Sequence, residues 1–279
     1  MQKLDSLLRF LVRLEQKRCL QWEEELKNLP EGSLGIHFRG EKAFFLLRRN
    51  GSRTGITKDT ELVYKLARKK YLQILIRERK SALFQACREA GAPRLSASSE
   101  SSGAGSLVKL LRRYESAGLD ILRITCTEEQ YQWAKAPYRR NISYPEELKY
   151  ETHAGVKVRS KSEQSIGNAL EERGIPYRYE MEHTLEVGWM EGARGAREGR
   201  YKSYYPDFVI PAADSMKIIW EHLGRMDLEE YRVHNNEKIA AYREGGLCDE
   251  AHLILTFEKD MNNLETLGEI IERRIMPCI

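Results

Sequence analysis

The sequence predicts an α/β protein: a mixed sheet flanked by helices over residues 151–279, preceded by a helical and β-meander region. Three observations lead there. Leucine-rich stripes at helical spacing alternate along the chain with short β-branched and aromatic runs. An Asn50-Gly51 pair lies between two such runs, a strong hairpin signal. Two further runs, from Tyr204 to Ile210 and from Lys217 to Leu223, read as buried strands that each carry one carboxylate, Asp207 and Glu221.

Taken in order, the spacing of Leu4, Leu7, Leu8, Leu11 and Leu14 predicts a helix over 3–28, stopped by Leu29-Pro30 and Gly32. Strands are expected over 33–39, 42–49 and 53–58, and they carry Arg48 and Arg49. A long helix is expected over 60–89, with Asp59 or Thr60 as its N-cap. Its Arg68, Lys69 and Lys70 are interleaved with Tyr64, Leu66, Tyr71 and Leu72, which suits either a helix lying along a phosphate backbone or a solvated basic face. The Ser/Gly/Ala-rich stretch 93–106 reads as a linker. Short helices follow near 107–116 and 128–136, within a connector extending to residue 150.

The second half reads as helix 162–173, strand 177–185, a Gly-rich irregular excursion over 188–201, strand 204–210, strand 217–223, helix 228–244, strand 251–257 and helix 263–274. The excursion carries Arg194 and Arg197, either to touch a substrate or as a plain surface insertion. The expected organisation is therefore a basic helix–meander–helix region (1–92), the linker (93–106), a helical connector (107–150) and a C-terminal α/β domain (151–279).

Composition narrows the function. The 279 residues hold 32% charged and 41% hydrophobic side chains, with no apolar run near the ~20 residues of a membrane span, so a membrane partner is not expected. Five scattered cysteines without ligand spacing suggest reduced thiols and a cytoplasmic location. The net charge of +4 conceals an asymmetry, about +11 over residues 1–150 and about −7 over 151–279. A basic half joined to an acidic half suits action on a polyanion.

Glu221 directly follows Ile218-Ile219-Trp220, and burying an unpaired carboxylate there is costly. A bound cation offsets that cost. Two converging carboxylates without a Cys or His cluster suit Mg²⁺, an oxygen-seeking ion, better than zinc. Ser160-Lys161-Ser162-Glu163 has the form of a helix capping box, in which Glu163 satisfies an orphan N–H.

These residues carry a resemblance. Val158-Arg159-Ser160-Lys161-Ser162-Glu163, Tyr177-Arg178-Tyr179-Glu180, Tyr205-Pro206-Asp207-Phe208 and Trp220-Glu221-His222-Leu223-Gly224, in that order, resemble the PD-(D/E)XK nuclease superfamily. More narrowly they are similar to a bacterial branch common on mobile-element and phage-like loci. The resemblance covers residues 137–279 and implies a restriction-endonuclease-like fold and Mg²⁺-dependent hydrolysis of DNA phosphodiesters, with Mn²⁺ able to substitute and no small-molecule cofactor. Asp207 and Glu221 would hold the metal, with the backbone carbonyl of His222 adding an oxygen and Glu163 assisting directly or through water. A homodimer would suit a fold whose members often pair to cut both strands. The family's Glu-x-Lys is broken, because Leu223 stands two residues after Glu221. Lys217 shares a strand face with Glu221, but Lys238 on the next helix is the better candidate to position or activate water, and it shares a helix face with Tyr231 and Tyr242. Tyr179 and Tyr205 are candidates to line the site. The His222 side chain alternates to the face opposite Glu221. The missing lysine leaves a second reading, a nuclease-fold nucleic-acid-binding or assembly protein that cleaves little or not at all.

Overall fold

The structure is a computed structural model that describes residues 2–89, 105–191, 197–212, 217–224, 227–247, 252–261 and 264–276. It is a mixed α/β protein with several small sheets, and it divides into two compact units, 1–125 and 126–279.

In the first unit, helix α1 (Gln2–Asn28) leads into the antiparallel meander β1 (Ser33–Arg39), β2 (Lys42–Arg49) and β3 (Ser52–Gly55). Asn50 and Gly51 both adopt positive φ, 49° and 77°, and Arg49 pairs with Ser52, so two residues close the turn as the sequence demands. Helix α2 (Thr60–Glu89) starts where Asp59 Oδ1 accepts the Leu62 N–H. Its Val63, Leu66, Ala67 and Leu72 are buried. Helices α3 (Ser106–Ser116) and α4 (Ile121–Thr125) complete the unit. Leu111, Tyr114 and Ile124 enter its core, and the Arg68 guanidinium donates to the carbonyls of Ile124 and Thr125.

The division at 125/126 falls inside the stretch expected as a connector. Residues after it belong to the second unit because Arg178 gathers them. Its guanidinium donates to the carbonyls of Trp133 and Ala136, and it stacks on the rings of Trp133 and Tyr138. Much of the 93–106 linker lies outside the described residues.

The second unit opens with α5 (Glu128–Lys135) and the short pair β4 (Tyr150–Glu151) and β5 (Lys157–Val158). Helix α6 (Lys161–Glu171) precedes a four-stranded sheet in the order β11-β10-β9-β6. These strands are β6 (Arg178–Tyr179), β9 (Phe208–Pro211), β10 (Lys217–Leu223) and β11 (Leu253–Phe257). The pairs β6–β9 and β9–β10 are antiparallel, whereas β10 and β11 are parallel and joined through helix α7 (Glu229–Glu244). Parallel neighbours need such a crossover. Strand β10 is the centre: Ile218, Ile219 and Trp220 are fully buried, each contributing about 1.5–3 kcal/mol of burial before entropy is charged. The chain then passes through α8 (Glu258–Met261) and α9 (Leu264–Ile270) into a π-turn at Ile271–Ile275.

Three expectations are corrected here. The strand expected over 177–185 is broken at Glu180, which takes a left-handed conformation (φ 47°) although its N–H still donates to the Asp207 carbonyl. The strand expected over 204–210 is split around Pro206, which has no N–H for a ladder. The excursion expected as irregular over 188–201 contains strand at both of its described ends: β7 (His183–Glu191) and β8 (Arg197–Tyr204) pair antiparallel with a register shift between Glu186 and Trp189.

Candidate functional site

The site grows out of the far end of β10. Alternation places Ile219, Glu221 and Leu223 on one face. Ile219 and Leu223 pack there with Ile239 and Tyr242 of α7, so Glu221 also faces that helix. It is only 2% exposed. The Lys238 ammonium lies 2.8 Å from both of its oxygens and donates to the Tyr205 carbonyl at 3.1 Å. The Tyr242 hydroxyl donates to Glu221 Oε1 at 2.7 Å. Lys238 and Tyr242 are one helical turn apart, which is why both reach one carboxylate. Burial pulls the Lys238 ammonium down, but Glu221 and Asp207 together outweigh it and hold its pKa above the ordinary lysine value. Burial, and then Glu221, push the Tyr242 hydroxyl upward, so it stays a donor.

Asp207 sits one residue before β9. The β9–β10 register pairs Val209 with Ile219 and Phe208 with Trp220, and one further step sets Asp207 opposite Glu221. Directly opposed residues project to the same face of a sheet. Asp207 Oδ2 accepts the His222 N–H at 2.7 Å, which ties the two strand ends together. The residue is half-buried. Desolvation, then Glu221, and further Glu163 push its carboxyl well above the usual range, against Lys238 and the His222 N–H. Asp207 thus feels two neighbouring carboxylates, Glu221 of β10 and Glu163 of α6.

Glu163 comes from the first turn of α6. Ser160 caps the helix by accepting the Glu163 N–H at 3.1 Å. Glu163 Oε2 reaches back to the Arg159 N–H at 2.9 Å and also accepts the Tyr179 hydroxyl. The capping reading of Glu163 is thus half met, one residue further out than a regular box. Arg159 forms a bidentate pair with the buried Glu180 at 2.6 and 3.1 Å and donates to the carbonyls of Ser143 and Tyr144. This network anchors the start of α6 to the end of β6.

The donor set fits a hard cation in chemistry. It is all oxygen, and the ionised Asp207 carboxyl is disfavoured by desolvation and then by its like-charged neighbours, a cost that a divalent ion would relieve. Asp207 and Glu221 would hold it, with Glu163 reaching it through water. Among the described residues, no three His, Cys, Asp or Glu side chains are drawn together in a ligating cluster, and Glu221 is turned to Lys238 and Tyr242 instead. The His222 imidazole lies on the other face of β10, against Thr256 and Glu258, so only its backbone faces the recess.

The structure thus brings together Glu163, Asp207, Glu221 and Lys238. Lys217 does not reach this end of the strand; its charge acts on His183. In the first unit Arg48, Arg49 and Lys70 are exposed. Arg68 is not an open phosphate contact: it is spent on a bidentate pair with Glu25 at 2.8 and 3.0 Å and on two carbonyls. Lys69 donates to the Pro30 carbonyl at 2.8 Å. Arg194 lies outside the described residues, and Arg197 opens β8, with its side chain outside them. Sequence reasoning missed the Arg159–Glu180 pair and the role of Tyr242. The four-residue spacing from Lys238 was the available signal for the tyrosine.

No family model matches the chain, and no solved structure matches it significantly. An alignment 145 positions long, covering 46% of this chain, is 28% identical to an uncharacterized protein of Methanocaldococcus jannaschii and spans only 11% of that protein. No helix among the described residues is long and apolar enough to cross a membrane.

Proposed function

We propose that the second unit is a metal-dependent nuclease of the PD-(D/E)XK type that hydrolyses DNA phosphodiester bonds. One observation carries the reading: Asp207, at the entry to β9, and Glu221 on the neighbouring β10 lie side by side, with Lys238 beside them. The order α6, β6, β9, β10, α7, β11 supports it, since it follows the core of that superfamily. Mg²⁺ bound there would supply a Lewis acid for the phosphate and a more acidic water. Lys238, held protonated by its carboxylate neighbours, orients and screens charge and does not act as a base. Tyr242 fixes the Glu221 rotamer, and Tyr179 fixes Glu163. The engagement of both Glu221 oxygens favours a second reading, a nuclease-fold protein that binds nucleic acid or a partner without cutting.

Cleavage of mixed DNA substrates with Mg²⁺ or Mn²⁺ by the native chain, Asp207→Ala and Lys238→Ala separates the two, with circular dichroism to confirm folding. The nuclease reading expects native cleavage and a loss of at least about 10²-fold in Asp207→Ala, several kcal/mol of transition-state stabilisation. A folded native chain that never cuts, across substrates and both metals, overturns it.

A further inference from the structure

The first unit contains a recess of about 250 Å³ that no carboxylate among the described residues lines. Its apolar floor comes from Leu34 and Ile36 of β1, Leu66 of α2, and Leu110 and Tyr114 of α3. Its rim is polar and cationic: Lys69, Lys70 and Gln73 from α2, and Arg113 from α3.

The charge at this rim is unspent. Three other cations of α2 are neutralised by carboxylates: Lys65 by Glu61, Arg68 by Glu25 and Lys80 by Glu23, at 2.5 to 2.8 Å. The rim residues differ. Lys69 donates to the Pro30 carbonyl, and Arg113 makes only a long contact of 3.4 Å to the Ile36 carbonyl. Carbonyls position a cation without cancelling it. Among the described residues, none of Lys69, Lys70 and Arg113 forms an ion pair, and three gathered positive charges repel until an anion joins them.

The lining states which anion. Lys, Arg and Gln are side chains that grip phosphate oxygens, while an apolar floor with a tyrosine suits a sugar or base rather than a second charged group. The volume falls below that of pockets for whole drug-sized ligands and suits one small unit. We propose that this recess binds a single nucleotide residue, its phosphate on Lys69, Lys70 and Arg113 and its ring side over Leu34 and Tyr114. The nucleotide is either free or part of a strand. The site rests on nothing in the second unit and holds whether or not that unit cuts DNA.

The test is fluorescence anisotropy of a short labelled single-stranded oligonucleotide with the full chain in EDTA, where no metal-dependent cleavage occurs. Lys70 and Arg113 are exposed, so Lys70→Gln/Arg113→Gln keeps the fold, and circular dichroism confirms it. Lys27→Gln, which removes an exposed cation that does not line the recess, is the control. The double variant is expected to bind at least about tenfold more weakly, and its log–log salt slope to shrink by about 1.4, two phosphate contacts' worth. Lys27→Gln stays within about twofold of native on the same argument. Displacement of the oligonucleotide by a mononucleotide identifies the free ligand, and failure to displace identifies the strand. Native-like binding by the double variant overturns the proposal, as does equal competition by poly-glutamate. Neither result bears on cleavage by the second unit.

Discussion

Lys238 places its ammonium 2.8 Å from both oxygens of Glu221, a residue seventeen positions earlier on a different element. The pair is nearly dry, with the lysine side chain 13% and the glutamate side chain 3% exposed. An ammonium in that position does for Glu221 what a metal ion would do: it supplies a positive charge inside the protein. Leu223, two residues after Glu221, carries no charge, so the cation beside this carboxylate comes from α7 and not from β10 itself.

Breaking this pair from one side leaves a buried, uncompensated charge. Lys238→Ala is expected to lower unfolding stability by about 3–5 kcal/mol. The double variant Glu221→Gln/Lys238→Met removes both charges and should recover most of that loss. Urea unfolding of the three chains checks it, and a double variant no more stable than Lys238→Ala would show that the pair is not the source of the loss.

How much of this was legible follows from the kind of information each residue carries. The β10 strand could be read from Lys217-Ile-Ile-Trp, because β-branched and aromatic runs state local preference directly. The β2–β3 turn could be read from Asn50-Gly51 for the same reason. Glu180 could not, since nothing in Tyr177 to Leu185 marks a left-handed residue; Arg159 and the Asp207 carbonyl impose it from outside the segment. The β7–β8 pairing hid behind glycines that read as loop. In the site, Asp207 and Glu221 stood out as charges inside apolar strands. Which partner satisfied each was a tertiary fact. Arg68 shows the converse, since it reads as part of a basic stripe until Glu25 is seen to consume it.

His183 predicts an acid-side loss of stability. Desolvation and then the Lys217 charge lower its pKa below the ordinary 6.5. The unfolded chain therefore takes up the proton first as pH falls. Stability from the neutral ring is complete above about pH 6.5 and declines as pH drops from there toward the lowered folded value. His183→Gln should flatten that decline. Urea unfolding at pH 7.5, 6.5 and 5.5 measures it, and parallel slopes for the two chains would refute the assignment.

Gly167 tests how tightly α6 is seated. Alanine in a helix interior normally gains about 1 kcal/mol over glycine. Here an added Cβ would meet Thr152 Cγ2 at 2.7 Å and the Tyr177 hydroxyl at 3.2 Å. Thr152 has little freedom to turn, because its hydroxyl donates to Glu171 at 2.7 Å. Overpacking costs about 1–3 kcal/mol and should win. Gly167→Ala is expected to melt lower than the native chain, and a higher melting temperature would mean that α6 can shift away from Thr152.

Tyr242 separates holding Glu221 in place from neutralising it. Tyr242→Phe keeps the ring that packs against Tyr204 and His183 and removes only the hydroxyl that donates to Glu221 Oε1. A hydrogen bond to a charged group is worth about 1.5–3 kcal/mol, so stability should fall by that order while Lys238 keeps the charge balanced. If Glu221 works in phosphodiester hydrolysis, its looser rotamer should lower kcat about tenfold and leave KM for DNA unchanged, because the tyrosine touches the carboxylate and not the strand. A stability loss with kcat intact would make Tyr242 a packing residue whose hydroxyl serves only the buried ion pair. Equal falls in kcat and affinity would instead place the hydroxyl against the substrate, a position its burial behind Glu221 argues against.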